Sequence, residues 1–181
     1  MERYIYPREE YVRWAKAQMM RLRLGPYKDM PRENVLLYAP PLVSTIELGA
    51  GRAVSERIVA SAGLLFNIRL RYVTYGRSLP RYPIQWRVEL EDGGATRELG
   101  AGTIDAKTLR DWAEEDLLIP LTYLEQPTRL IISVSVAKDL PRPSAGLPIF
   151  KSGAGMIAGP IEGDPEHRDG VGGLTLQYAR S

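Results

Sequence analysis

The chain has 181 residues, 44% of them hydrophobic, which predicts one domain, or one domain with an arm, able to bury about 70% of its unfolded surface. The absence of cysteine excludes disulfides, thiolate metal sites and thiol nucleophiles. Twenty-four lysines and arginines against 22 acids leave a net charge of +2, without the basic stripe of a dedicated nucleic-acid binder, and the excess of arginine over lysine with the lack of cysteine tilts toward a GC-rich or heat-adapted source.

The opening "MERYIYPREEYVRW" lacks the apolar core of a signal peptide, and the most apolar stretch, "VLLYAPPLVSTI", is short and carries Pro40 and Pro41. Neither a signal peptide nor a transmembrane segment is expected, which places synthesis in the cytoplasm. Pro7 followed by "REEYVRWAKAQMMRLRLGP" predicts a helix from Arg8 to Leu24, within an N-terminal arm at residues 1–30. Pro7 opens it, Glu9 and Glu10 lie in its first turn, Arg21 and Arg23 in its last, and Gly25 with Pro26 stops it. Tyr11, Val12, Ala15, Met19 and Leu22 gather on one side, which is expected to pack on the body of the domain. Arg13, Lys16, Arg21 and Arg23 offer the other use of the helix, a basic set facing a neighbouring subunit or a membrane surface.

From Val35 the period shortens to two. "NVLLY", "LVSTIEL" and "AVSERIVA" read as short strands, and "LLFNIRLRYVTY" places Phe66, Ile68, Leu70 and Tyr72 on one face against Asn67, Arg69 and Arg71 on the other. "IQWRVELEDGG" repeats the alternation with Trp86 inward, turns at Asp92, Gly93 and Gly94, and returns as "TRELGAGTI". Asp105 then caps a short helix, "AKTLRDWAEE"; "DLLIPLTYL", "TRLIISVSVA" and "GGLTLQY" supply further strands. Many strands with one inserted helix predict an all-β, antiparallel sandwich over residues 31–181, as a single jelly roll, since parallel pairing would demand helices between strands.

Residues 138–173 are rich in proline and glycine and read as one long loop. Within it "KSGAGMIAGP" spaces Gly153, Gly155 and Gly159 one residue too widely for the dinucleotide fingerprint, Lys151 precedes the glycines, and Pro160 breaks any following helix. This excludes a phosphate cradle and leaves Lys151, Gly153, Gly155 and Gly159 as a candidate loop for subunit contact that orders on assembly. His167, the one histidine, has no G-x-S-x-G elbow to serve, so a surface role is expected. Glu162, Asp164, Glu166 and Asp169 carry enough oxygens for calcium but not the spacing of an EF-hand, and the question stays open on sequence.

Glu89, Glu91, Glu98, Glu114 and Glu115 are candidates for a carboxylate pair, but outward strand and helix-surface positions are ordinarily solvated. Arg69, Arg71 and Arg87, near Tyr72 and Tyr75, would make a basic patch diluted by Glu89 and Glu91. Trp14 and Trp112 fall on predicted helices and the tyrosines are scattered, so no aromatic platform for a sugar is evident.

The succession "LLFNIRLRYVTY", "PIQWRVELEDGG", "DLLIPLTYL", "RLIISVSVAK" and "GGLTLQY", with the chain length and the arginine-rich, cysteine-free composition, resembles the small single-jelly-roll major capsid proteins of tailless icosahedral phages with an internal membrane that infect thermophilic bacteria. The likeness runs from about Leu64 to Tyr178. It implies a structural, non-enzymatic subunit of a virion, without cofactor, metal or catalytic residues. It also implies a homo-oligomer, a dimer first, that packs with a second, larger coat protein above a membrane and binds no nucleic acid specifically. The helix at Arg8 to Leu24 exceeds what a minimal jelly roll needs. The alternative expectation is a non-catalytic carbohydrate-binding or adhesion module.

Overall fold

The computed structural model describes residues 8–49, 53–137, 142–151 and 170–180. Its elements follow the two periods of the sequence. Helix α1 (Arg8–Leu22) leads into β1 (Arg32–Leu36), β2 (Ala39–Glu47), β3 (Ala53–Ala60), β4 (Gly63–Arg71), β5 (Pro83–Asp92) and β6 (Ala95–Asp105). Then come β7 (Glu114–Leu117), β8 (Thr122–Leu124), β9 (Thr128–Val136), β10 (Gly146–Lys151), β11 (Gly170–Gly172) and β12 (Leu174–Ala179).

The strands form three antiparallel sheets. The first runs β1-β12-β4-β7, with β8 also on β4; the second runs β3-β9-β5-β6; a three-stranded annex runs β11-β10-β2. Alternation aims Ile84, Val88, Leu130 and Ile132 of the second sheet at Leu65, Ile68, Leu70 and Leu176 of the first, and these join one core. The fold is therefore an all-β antiparallel sandwich. Trp86 points inward as its phase demands, and Gly102 on β6 lies against its ring, where a Cβ would come within 2.8 Å. The β5–β6 hairpin closes on Gly93 (φ 57°) and Gly94 (φ 87°) between the paired Asp92 and Ala95, the two-residue turn with positive φ at both positions that matches strand twist.

Four expectations are revised. Phe66 does not share a face with Ile68, Leu70 and Tyr72. Gln177 pairs with Asn67 and Tyr178 with Leu65, so Phe66 is an extra residue on β4, and this bulge turns its ring to the opposite side of the sheet. The short helix after Asp105 is a 3-10 turn at Ala106–Thr108; Asp105 does cap it, accepting from the Lys107 amide at 3.1 Å, but Leu109 is already extended and buried, which ends the turn. Glu114 and Glu115 consequently sit on β7 and not on a helix. "DLLIPLTYL" is two strands, β7 and β8, separated around Pro120, which has no N–H for a ladder. Residues 138–173 are not loop throughout, because β10 pairs with β2 from Gly146 to Lys151 and β11 pairs with β10.

α1 ends two residues earlier than expected. Arg23 adopts φ 55°, the Leu24 amide donates to the Met19 carbonyl at 2.9 Å and the Arg23 amide to the Met20 carbonyl at 3.3 Å, a Schellman closure with arginine where glycine is preferred. Arg23→Gly should therefore raise stability by about 0.5–1 kcal/mol, seen as ~1–4 °C in the thermal midpoint. An unchanged or lower midpoint in calorimetry would show that the arginine side chain compensates for its backbone.

Candidate assembly surface

An isolated helix of 15 residues is marginal in water, so α1 depends on what it packs against. Ala17 and Met20, one turn apart, are buried on Phe66 in a small second core that also gathers Leu64 and Leu121. Polar clamps fix the helix in register. Arg21 donates to Asp116 on β7 at 2.8 Å. Arg32 on β1 donates to the Arg21 carbonyl at 3.3 Å and to the Met20 carbonyl, while its guanidinium lies 5.3 Å from the centre of the Phe66 ring. A last-turn helix carbonyl and a cation are natural partners, so the strand supplies a side-chain cap that the helix lacks.

Asp116 anchors more than Arg21. It accepts from Asn67 at 2.5 Å and from Arg69 at 3.0 Å, and Asn67 in turn donates to Gln177, which donates to Asn34, both at 2.8 Å. One hydrogen-bonded row thus crosses β7, β4, β12 and β1 beneath the helix. Arg71 and Thr175 add a second clasp on Glu114, at 3.2 and 3.0 Å. Glu115, beside these acids, has its pKa raised by burial and then by Asp116.

The basic patch that Arg69, Arg71 and Arg87 would have made does not form, in line with the dilution by acids expected of it. Arg69 and Arg71 are matched by Asp116 and Glu114 on one sheet, Arg87 lies on the other sheet at 3.2 Å from Glu98, and Tyr72 is buried. Of the candidate carboxylates on the second sheet, Glu91 meets Arg129 at 3.9 Å and Glu98 meets Arg87 at 3.2 Å, while Glu89 is the cross-strand neighbour of Glu98 on an outward sheet face. Among the described residues, no group of three or more His, Cys, Asp or Glu side chains is arranged to hold a metal ion, and no helix is long and apolar enough to cross a membrane.

The predicted packing face of α1 is overturned. Tyr11 is 63% exposed and Leu22 52%, and Val12 is exposed as well, because the Arg21 and Arg32 clamps turn the Ala17–Met20 side to the sheet. Trp14, 43% exposed, joins Tyr11 and Leu22 on one outward stripe, and Leu24 continues it beyond the helix. Of the basic candidates, Arg13, Lys16 and Arg23 are exposed, whereas Arg21 is consumed by Asp116. Lys151 is the last residue of β10, its backbone paired with Ala39 and Gly170. Gly153, Gly155 and Gly159 lie outside the described residues, as do His167 and the acids at 162–169.

A second corner carries exposed aromatics. The Asp111 carboxylate accepts the amides of Thr74, Tyr75 and Gly76 at 2.7, 3.1 and 2.9 Å, which holds Tyr75 at φ 58° and Gly76 at φ 69°. Trp112, the next residue, is itself at φ 61°, and both rings are partly exposed. Trp112 is thus on a turn and not on the helix expected for it.

The sequence reading overlooked Glu56, Asp111, Asp116 and Arg32. Only Glu56 had a local signal: in "AVSERIVA" it shares the phase of Val54 and Ile58, an acid where an apolar residue belongs. It is 6% exposed, and burial pushes its carboxyl up to about 7 although the Gly172 amide, at 3.1 and 3.2 Å from its oxygens, pulls the other way. Neither a protein-family model nor a curated protein sequence matches the chain.

Removing Asp116 takes a shared acceptor from Asn67, Arg69 and Arg21 together. Asp116→Ala should lower stability by about 2 kcal/mol and expose α1 to proteolysis before the sandwich unfolds, with Arg21→Ala costing about 1 kcal/mol. Denaturant titration and limited trypsinolysis check this; equal resistance of α1 in wild type and Asp116→Ala would refute the clamp.

Proposed function

We propose that this chain is a non-catalytic structural protein, a virion coat subunit that self-associates and packs with a second, larger coat protein. The observation that carries the reading is the outward stripe of α1. A helix is clamped to the sandwich by a buried aromatic contact, an ion pair and a side-chain cap, yet holds Tyr11, Trp14 and Leu22 toward solvent. Contiguous exposed apolar surface beside charged residues favours association over a monomeric state. The exposed Arg13 and Lys16 on other faces of α1, and Arg23 just past its end, suit an acidic surface on a neighbour or an anionic membrane surface.

Topology supports the finer reading of a single jelly roll. Counting β7 with β8 as one strand and setting the annex aside leaves eight strands, ordered 1-8-3-6 in one sheet and 2-7-4-5 in the other. Two interlocked Greek keys give that order. Jelly rolls serve many functions, so the coat assignment rests on the stripe and not on the fold.

The second reading, a carbohydrate-binding module, is favoured by the corner at which Asp111 holds Tyr75 and Trp112, since fixed exposed rings stack on sugars.

Light scattering behind a sizing column, over a range of concentration and salt, separates the two. The coat reading expects dimers or larger species, reduced to monomers by Tyr11→Ser/Trp14→Ser/Leu22→Ser with unchanged circular dichroism. A strict monomer at every concentration would overturn it and turn attention to glycan binding at Tyr75 and Trp112.

A further inference from the structure

Glu56 is the one Asp or Glu among the described residues that is fully buried, and it pairs with Ile132 on β9. Among the described residues, the groups lining the space beside it are Val54 on its own strand, Leu70 on β4, Ile132 and Val134 on β9, and Leu147 and Ile149 on β10. None of these titrates or carries charge. Gly172 of β11 also lines it, and its amide donates to both carboxyl oxygens. A Cβ at position 172 would lie 2.7 Å from Oε2, so glycine there lets β11 come down onto the carboxyl. The enclosed space is about 20 Å³, room for about one water molecule.

This contact joins parts of very different strength. β3 is held to β9 through eight paired positions, whereas β11 is an edge strand held to β10 through three. Whatever strains the contact will move β11 first.

We propose that Glu56 is a proton-operated latch: the neutral carboxyl keeps β11 closed on β3, and the charged carboxylate releases the β11 end of the annex while the sandwich stays folded. One backbone amide does not replace the hydration of a carboxylate in an apolar wall, so the charged form favours an opening that admits water. The direction of the linkage follows from the raised carboxyl. The closed state binds its proton more tightly than the open or unfolded chain does. Its advantage is complete below the ordinary value of 4.5 and is lost as pH rises through about 7.

Amide hydrogen exchange by NMR on the full chain, from about pH 5 to about pH 8.5 and corrected for intrinsic exchange, tests the latch. Protection of the Gly172 amide should fall roughly tenfold or more across this range relative to that of Leu130 in mid β9, and Glu56→Gln should abolish the relative fall. The comparison of Gly172 with Leu130 within wild type needs no variant and stands if Glu56→Gln does not fold. Loss of protection at Gly172 in step with Leu130 would mean that the charge loosens the whole sandwich, and a fall no larger than in Glu56→Gln would mean that the carboxyl controls nothing; either overturns the latch.

Discussion

The extra residue in β4 is the constraint on which the rest of this architecture depends. A strand with unbroken alternation serves one core, and its outer face is left to water. Because Tyr178 pairs with Leu65 and Gln177 with Asn67, Phe66 is inserted and rotated outward, while Leu65 and Ile68 still enter the sandwich. The large ring gives the outer face of the first sheet an apolar foothold. Without it α1 would meet Asn67, Arg69 and their acids with only the partly buried Leu64 and Leu121 as apolar contacts, which offers less reason for a short helix to stay.

Once that foothold exists, electrostatics decides how the helix lies on it. The surface around Phe66 is rich in arginine, but its guanidinium groups are organised by Asp116 and Glu114, so that the row accepts one more cation, Arg21, and presents Arg32 to the helix carbonyls. These partly exposed pairs are individually modest, and their shared acceptor makes them act together. They select the Ala17–Met20 side for burial over the more apolar side carrying Tyr11, Val12 and Leu22. Transfer of apolar area alone would have favoured the opposite rotation. The helix is thus docked against its own hydrophobic preference, and that preference remains available for a second surface.

Period-two alternation made the long strands legible: β3, β5 and β9 lie where the pattern placed them, and the Gly93–Gly94 hairpin was readable from turn chemistry alone. The bulge was not, since a residue becomes surplus only by comparison with the partner strand, and β12 is more than a hundred positions away. Asp116 and Arg32 were hidden for a related reason, since their roles come only once β7 and β1 are placed in the sheet beside β4 and β12. The annex escaped because β10 and β11 are short, contain Pro148 and glycines, and take their order from partners. Glu56 differs from these. Its phase within β3 marked it locally as an acid facing the core.

Two features that violate local expectation, an apolar stripe facing solvent and an acid facing the core, occupy opposite sides of the structural logic. Consistency across propensity, pattern and packing is the ordinary state of a folded chain, and departures from it are concentrated where something other than stability is served. The stripe on α1 departs at the outer boundary, where the missing neighbour is another molecule. Glu56 departs inside, where the missing neighbour is a proton or water. The clamps on α1 hold the first departure rigidly in place, whereas the second sits under the weakest strand of the annex. Rigid presentation suits a permanent contact, and placement under a three-residue edge strand suits a change of state.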